Sequence, residues 1–380
     1  VLTNDTVNCI TPPTVGPTGN ATLSVTTPAT PLTPGAPVPV LDPATGQVSV
    51  PPGTPAGVYP IVYKLCEKLN PTNCATTTAT VTVGAAPIDA VNDVLPSTNG
   101  VTGNPSVGSA FTGDTLNAAA ATATTTNLAV TGTTFNGNPA TGTIPTLNTT
   151  TGVVSVPAGT PAGNYVITYT LCEKLNPTNC DTATITVPVS AAPIVATPDT
   201  MNVPNGTTGS PNAGNITTND TLNGVPITVG PTGNTNITSV ALTSGQTGTV
   251  PTIDTSTGVV TVPPNTPAGS YVYSYTICEK LNPTNCAITT TTVVVAAPPI
   301  VAADDSYTGI NGGTGNPNVG TAVSNDTLNG AAATVGPTGN TTLTVTAPAT
   351  PASLGAPVPA VDPATGIVSV PAGTPAGVYT

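Results

Sequence analysis

The chain has 380 residues and a formal charge of −12, from 4 Lys+Arg against 16 Asp+Glu, with no His and no Trp. So few cations exclude a nucleic-acid binder, which needs Lys and Arg to neutralise phosphates, and equally exclude attraction to an anionic membrane surface. Only 5% of residues are charged, far below the roughly 25% of an ordinary soluble domain, so surface hydration falls to the abundant Thr and Asn.

With 39 Gly and 45 Pro the composition approaches that of disordered chains. However, 38% apolar content and recurring alternating segments predict many short strands joined by turns. No run of 18 apolar residues offers a helical membrane span. No signal peptide opens at Val1, which for so secreted a composition predicts that the true N-terminus lies upstream.

Read from the N-terminus, the chain passes Asn4-Asp5-Thr6, VGPTGN from Val15, a short strand signal from Thr45 and a Gly-Thr-Pro-Ala-Gly connection. CEKLNPTNC follows from Cys66, then Pro87-Ile-Asp-Ala. From there it repeats. CEKLNPTNC begins again at Cys172 and Cys278, and PI(D/V)A at Pro193 and Pro299, all at intervals of 106 residues. VGPTGN at Val229 and Val335 has the same interval. Boundaries on the PI(D/V)A block predict a partial repeat 1–86 lacking its N-terminal part, complete repeats 87–192 and 193–298, and a partial repeat 299–380 lacking its C-terminal hairpin. The Ala-Ala-Pro joints are short and stiff. They predict a rod rather than loose beads, and the chain reads as a window on a longer array.

Within 87–192, Thr151-Gly-Val-Val-Ser-Val-Pro157 is a short strand introduced by a turn, with counterparts from Thr45, Thr257 and Thr365. Tyr165-Val-Ile-Thr-Tyr-Thr-Leu-Cys172 alternates cleanly: Tyr165, Ile167, Tyr169 and Leu171 form a core face, and Val166, Thr168, Thr170 and Cys172 an outer one. After the loop 173–179, whose Asn176-Pro-Thr-Asn179 has type I turn chemistry, Asp181-Thr-Ala-Thr-Ile-Thr-Val187 completes a hairpin. Roughly seven short strands in a unit large enough to bury its own core predict an all-β tandem array of immunoglobulin-like β-sandwich repeats.

Cys66/Cys74, Cys172/Cys180 and Cys278/Cys286 sit at the ends of this hairpin loop, close enough across an antiparallel pair for disulfides. Such bonds imply an oxidising, extracellular location. Zinc would need more ligands than two Cys per repeat and no His provide. Cys9 is unpaired and stands where Gly224 does in the NDTLNG segment.

Acids recur in phase. Asp93, Asp199 and Asp305 follow each joint; Asp5, Asp114, Asp220 and Asp326 lie in the NDT-like segment; Glu67, Glu173 and Glu279 sit at the hairpin tip. Asp93, Asp199 and Asp305 are candidate calcium ligands at the joints, as the minor alternative to turn and cap carboxylates, because one or two carboxylates per joint are few for that ion. No other cofactor is implied. Without His, and with no Ser in a nucleophile elbow, the chain reads as non-enzymatic.

The run NDTLNG … VPAGTPAGxY … YTLCEKLNPTNC … APIVAxxD resembles the repeat arrays of giant gliding-motility and cell-surface adhesins of Bacteroidetes, over essentially the whole chain. The resemblance implies export by type IX secretion, partners in the outer-membrane secretion and gliding machinery, and contact with an external surface or polysaccharide. It also implies the O-glycosylation signal of that phylum, Asp-(Thr/Ser) followed by an apolar residue or Thr, matched at Thr6, Thr115, Thr182, Thr200, Thr221 and Thr327. The leading functional expectation is a structural stalk of an adhesin. The alternatives are a glycan- or protein-binding module acting through the tip residues Glu173, Lys174 and Leu175, and a self-assembling sheath or surface-layer polymer.

Overall fold

The computed structural model describes residues 1–9 and 12–380, which fall into two compact units, Val1–Ala192 and Pro193–Thr380. In the first unit the segment 87–192 centres on an antiparallel hairpin of Gly163–Glu173 and Cys180–Ser190, paired from Gly163↔Val189 to Cys172↔Cys180. Thr126–Phe135 lies antiparallel along the free side of Gly163–Glu173, and Asp93–Val94 and Thr98–Asn99 run parallel beside Cys180–Ser190. The facing sheet is Thr146–Leu147, Val153–Val156 and Asn104–Ser109. A short ribbon of Ala119–Ala120, Thr115–Leu116 and Ile88–Asp89 completes the sandwich.

Alternation decides which side chains enter. Tyr165, Ile167, Tyr169 and Leu171 are at most 2% exposed and meet Ile185, Val187, Val154 and Val156 between the sheets. The intervening Val166, Thr168, Thr170 and Cys172 stay half-buried on the outer face. Full burial of Ile, Leu or Val contributes roughly 1.5–3 kcal/mol per side chain, so aliphatic residues and tyrosines build this core without Trp.

The same framework appears in 1–86 with a difference. Ala21–Thr27, Gly57–Glu67 and Cys74–Val83 form one sheet over Tyr59, Ile61, Tyr63 and Leu65. Among the described residues no parallel strand lines Cys74–Val83, and Val81 remains half-buried where its counterpart Val187 is fully enclosed.

In the second unit, Asp199–Val203 runs parallel to Cys286–Val295, followed by Gly269–Glu279 and Thr235–Ser244, over a facing sheet of Ser210–Asn215, Val259–Val262 and Thr252–Ile253. The segment 299–380 carries only the counterpart of that facing sheet (Asn316–Thr321, Ile367–Val370, Ala360–Val361) and the short ribbon of Ile300–Val301, Thr327–Leu328 and Ala331–Ala332.

Two local devices hold these elements. The ribbon turns at Leu116↔Ala119 through Asn117 and Ala118, both at positive φ (53° and 60°), the two-residue primed turn that favours Asn-Gly. Secondly, the tyrosine of the Thr-Pro-Ala-Gly-x-Tyr motif donates its hydroxyl four residues back to the proline carbonyl: Tyr59 to Pro55 at 2.8 Å, Tyr165 to Pro161 at 3.0 Å, Tyr271 to Pro267 at 2.7 Å, and Tyr379 to Pro375 at 2.9 Å. The threonine meanwhile donates to the carbonyl three residues before it, as Thr160 does to Pro157 at 2.7 Å. The motif is a pinned corner. Among the described residues no helix is long and apolar enough to cross a membrane.

Candidate functional sites: the hairpin tip and the buried acid pair

The hairpin tip is the first candidate. Cys172 and Cys180 are paired directly across the ladder with Cα atoms 4.1 Å apart and are disulfide-bonded, as are Cys66–Cys74 and Cys278–Cys286. Asn179 N–H donates to Asn176 O at 2.8 Å and closes the turn. Glu173, although next to the tip, is only 4% exposed, and Glu279 only 1%. Each carboxylate is enclosed by amides of its own loop: Asn179 Nδ2 donates to Glu173 at 2.8 Å, and Asn282 and Asn285 donate to Glu279 at 2.9 and 2.7 Å. In the first repeat Asn70, Asn73 and Asn8 all donate to Glu67, and these amide bonds hold its carboxyl below the ordinary carboxylate range.

The lysines are likewise engaged at home. Lys68 Nζ donates to Gly16 O at 2.6 Å, Lys174 Nζ to Ala123 O, and Lys280 Nζ to Gly230 O. The Glu and Lys thus bond within their own repeats, although Lys174 itself stays exposed, and Leu69 at the first tip is 88% exposed.

The second candidate is an acid pair around a tyrosine hydroxyl. In 193–298, Tyr275 Oη lies 2.7 Å from Ile216 O, 3.1 Å from Asp220 Oδ2, 3.2 Å from Asp199 Oδ2 and 3.4 Å from Thr197 O. One hydroxyl proton thus faces four acceptors. Asp220 is fully buried, and its Oδ1 accepts the Thr197 N–H at 2.7 Å. In 87–192 Tyr169 donates to Asp114 Oδ2 at 2.8 Å, Asp114 Oδ1 accepts Val91 N–H at 2.7 Å, and Asp93 Oδ2 has no hydrogen-bond partner. In 1–86 Tyr63 donates to Asp5 at 2.7 Å.

Loss of hydration, then the neighbouring acid, pushes Asp93 up to about 6. Burial does the same to Asp199, also to about 6, reinforced by Asp220 and opposed by the Tyr275 hydrogen bond. Burial raises Asp114 and Asp220 as well, and pushes the Tyr169 and Tyr275 hydroxyls far above their ordinary value. The pair therefore favours a retained proton. Of the candidate calcium ligands offered by the sequence as a minor alternative, Asp199 turns towards Tyr275 and Asp93 lies beside Tyr169, each within its own repeat, while Asp305 accepts from Ser324 at 3.2 Å. Among the described residues no three His, Cys, Asp or Glu side chains gather closely enough to hold a metal.

The six Asp-Thr positions divide by location. Thr6, Thr182 and Thr200 are exposed, whereas Thr115, Thr221 and Thr327 occupy one half-buried position in the ribbon. Cys9 is free and exposed, in the left-handed conformation (φ 64°) that Gly224 takes at φ 75°. A shallow depression of about 330 Å³ over Asn104, Ser155 and Pro157 has no ionisable side chain in its lining.

No family profile and no curated protein sequence matches the chain. Solved structures similar to it include cadherin ectodomains. A protocadherin gammaB4 extracellular domain matches at 9% identity and TM-score 0.28, over 73% of this chain and 45% of that one. Mouse cadherin-23 EC22-24 matches at 12% and 0.29, over 73% and 87%, and protocadherin gammaB2 domains 1–5 at 12% and 0.27, over 93% and 67%. The chain thus spans under half of the gammaB4 ectodomain it matches. The assignment as tandem β-sandwich repeats stands on the strand pairing itself.

Proposed function

We propose that this chain is a structural segment of a large extracellular adhesin, a non-enzymatic stalk that carries an adhesive region away from the cell. The observation that supports this most is the internal commitment of the tip. In all three copies the Glu is bonded by amides of its own loop, the Lys donates to a backbone carbonyl, and a disulfide fixes the strand pair beneath. Residues that recur because they hold a loop together are those of a spacer, and the disulfides suit an oxidising compartment outside the cell. Repetition then serves length, since each unit interacts chiefly with its neighbours.

The finer reading is a gliding-motility or attachment adhesin of the Bacteroidetes type, exported by type IX secretion, glycosylated at the exposed Thr6, Thr182 and Thr200 and touching an external surface or polysaccharide. Non-reducing peptide mapping of the protein from its native cell surface tests both levels. The stalk reading expects linked Cys172–Cys180 peptides, and the finer one sugar mass on the Asp-Thr peptides. Free thiols would overturn the extracellular assignment. Bare threonines would remove the glycosylation. Deleting residues 193–298 from the native protein should shorten the projection by one repeat and leave adhesion intact; loss of adhesion at unchanged expression would favour a binding module.

A further inference from the structure

Inside the first unit the chain crosses from one repeat to the next at Ala86-Pro87, and the hairpin tip of residues 172–180 reaches back over that joint at two points. Asn176 Oδ1 accepts the Ala56 N–H of the preceding repeat's Thr-Pro-Ala-Gly corner at 2.6 Å. Asn179 Nδ2 donates at 2.7 Å to Ala86 O, the last carbonyl before the joint. These are the two asparagines of the CEKLNPTNC string, and each makes one of the contacts.

The Ala56 donor needs that acceptor. The ladder of Gly57–Glu67 begins one residue later, at Gly57↔Val83, and among the described residues no acceptor from its own repeat reaches the Ala56 N–H. Left half-buried without a partner, such a donor carries a desolvation cost that Asn176 removes. The corner presents it in a fixed direction. Thr54 and Pro55 are buried, Thr54 donates its hydroxyl to Pro51 O at 2.7 Å, and Tyr59 donates its own to Pro55 O at 2.8 Å.

The tip is equally set. The Cys172–Cys180 bond closes the loop, Glu173 N–H donates to Asn179 O at 3.0 Å, and Lys174 N–H donates to Thr125 O at 3.0 Å. An asparagine amide carries two protons. Asn179 shares them between Glu173 Oε2 at 2.8 Å and Ala86 O, so the buried carboxylate aims the amide at the joint. With both sides held beforehand, docking escapes much of the ordering cost that association carries.

An asparagine also bridges successive repeats in the second unit. Asn205 Nδ2 donates to Asn329 Oδ1, and Asn205 belongs to the turn whose Gly206 O accepts the Thr266 N–H of that repeat's own corner at 3.1 Å. In each unit, then, the corner end of one repeat meets the next through neutral amides.

We propose that the disulfide-closed tip of residues 172–180 is an interaction surface whose partner is the corner of the preceding repeat, with Asn176 as the residue that engages it. Glu173 and the Cys172–Cys180 bond are positioning elements for the two asparagines, so the staple that closes one repeat's loop also governs how firmly the preceding repeat is held. The tip does bind, and what it binds is its own chain. The inference stands on the joint contacts and is independent of the stalk reading.

Hydrogen exchange of the Ala56 amide in the full chain, resolved by NMR, tests it. In Asn176→Ala chains this amide should exchange at least about fivefold faster, the factor that a net hydrogen-bond contribution represents, while the Tyr169 amide in the core of 87–192 keeps its parental rate. Cys172→Ser with Cys180→Ser should speed Ala56 exchange by about threefold or more, through lost ordering of the tip, although Ala56 lies in the other repeat. Cys278→Ser with Cys286→Ser opens the tip of 193–298 and should leave Ala56 unchanged. An Ala56 rate indifferent to Asn176→Ala overturns the proposal, whatever the cysteine variants do. A rate raised equally by both cysteine pairs would overturn the positioning role of the Cys172–Cys180 bond.

Discussion

Replacing Asp93 and Asp199 together by Asn removes one acid of the buried pair from each complete repeat, and should stabilise the protein at neutral pH. Both carboxyls are pushed from 3.8 to about 6 in the folded chain. At full desolvation a rise of that size corresponds to about 3 kcal/mol against the ionised form. Both residues keep part of their water, which screens most of it, so about 1 kcal/mol per repeat is expected. The sign follows from proton counting. Between about pH 4 and 6 the folded chain holds protons that the unfolded chain has released, so stability falls as pH rises through that window and is level above it.

The assay is tyrosine-monitored thermal unfolding from pH 4.5 to 7.5. That range leaves Asp42, Asp254, Asp362 and Glu67 ionised; local hydrogen bonds hold all four below their ordinary range, and their contribution disappears only as pH falls further. The parent chain should lose about 4–8 °C in Tm across the window, the amount about 1 kcal/mol represents for a domain near 100 residues, and the double variant should lose less, keeping only what the buried Asp114 and Asp220 contribute. A variant that is less stable at pH 7.5, or that keeps the parent's slope, would refute the account of a shared proton.

Three further outcomes are expected. Cys172→Ser with Cys180→Ser reopens an eight-residue closure and should cost about 2.5 kcal/mol by the loop-entropy relation, read as a lower urea midpoint. Ala118→Gly relieves a left-handed alanine (φ 60°) at the position that Gly224 and Gly330 occupy; it should raise stability by about 0.5–1 kcal/mol in the same titration, since the left-handed penalty of roughly 1–2 kcal/mol exceeds the added freedom of the unfolded chain. Gly100→Ala would set its Cβ 2.0 Å from Thr160 O, a backbone atom that cannot swing aside. It should cost about 3 kcal/mol or more, seen as lost protection of the Thr160 amide from hydrogen exchange.

The core face of the long hairpin was legible because period-two alternation at Tyr165, Ile167, Tyr169 and Leu171 admits one orientation only. The turn at Asn176–Asn179 and the cysteine pairing belong to the same local grammar. The parallel strand was not legible. Asp93–Val94 and Thr98–Asn99 are two short pieces separated by Leu95, Pro96 and Ser97, and their partner lies about 90 residues on. Thr126–Phe135 was also missed, because its second half is polar and leaves no alternation to read. The amides that enclose the tip glutamates are mostly the two Asn of the CEKLNPTNC string itself, a signal the reading of that string as a turn passed over, whereas Asn8, 59 residues from Glu67, could not be seen in it. The tyrosine corner was written plainly in the Pro-x-x-x-Tyr spacing, a signal that the reading of the Gly-Thr-Pro-Ala-Gly motif as a bare connection passed over.

The parallel strand governs how a repeat bears tension. Asp199–Val203 lies against Cys286–Val295 in five consecutive register pairs, so a strand near the start of that repeat and its last strand are immediate neighbours pointing the same way. Pulling the two ends of the repeat apart slides one strand along the other and loads all five rungs at once. An antiparallel arrangement of the same ends would peel open one rung at a time. The Cys278–Cys286 bond lies outside this line of force and withholds only its own eight-residue span from extension. Resistance to rupture therefore resides in the backbone ladder, and the disulfide preserves the strand register to which a stretched repeat can return.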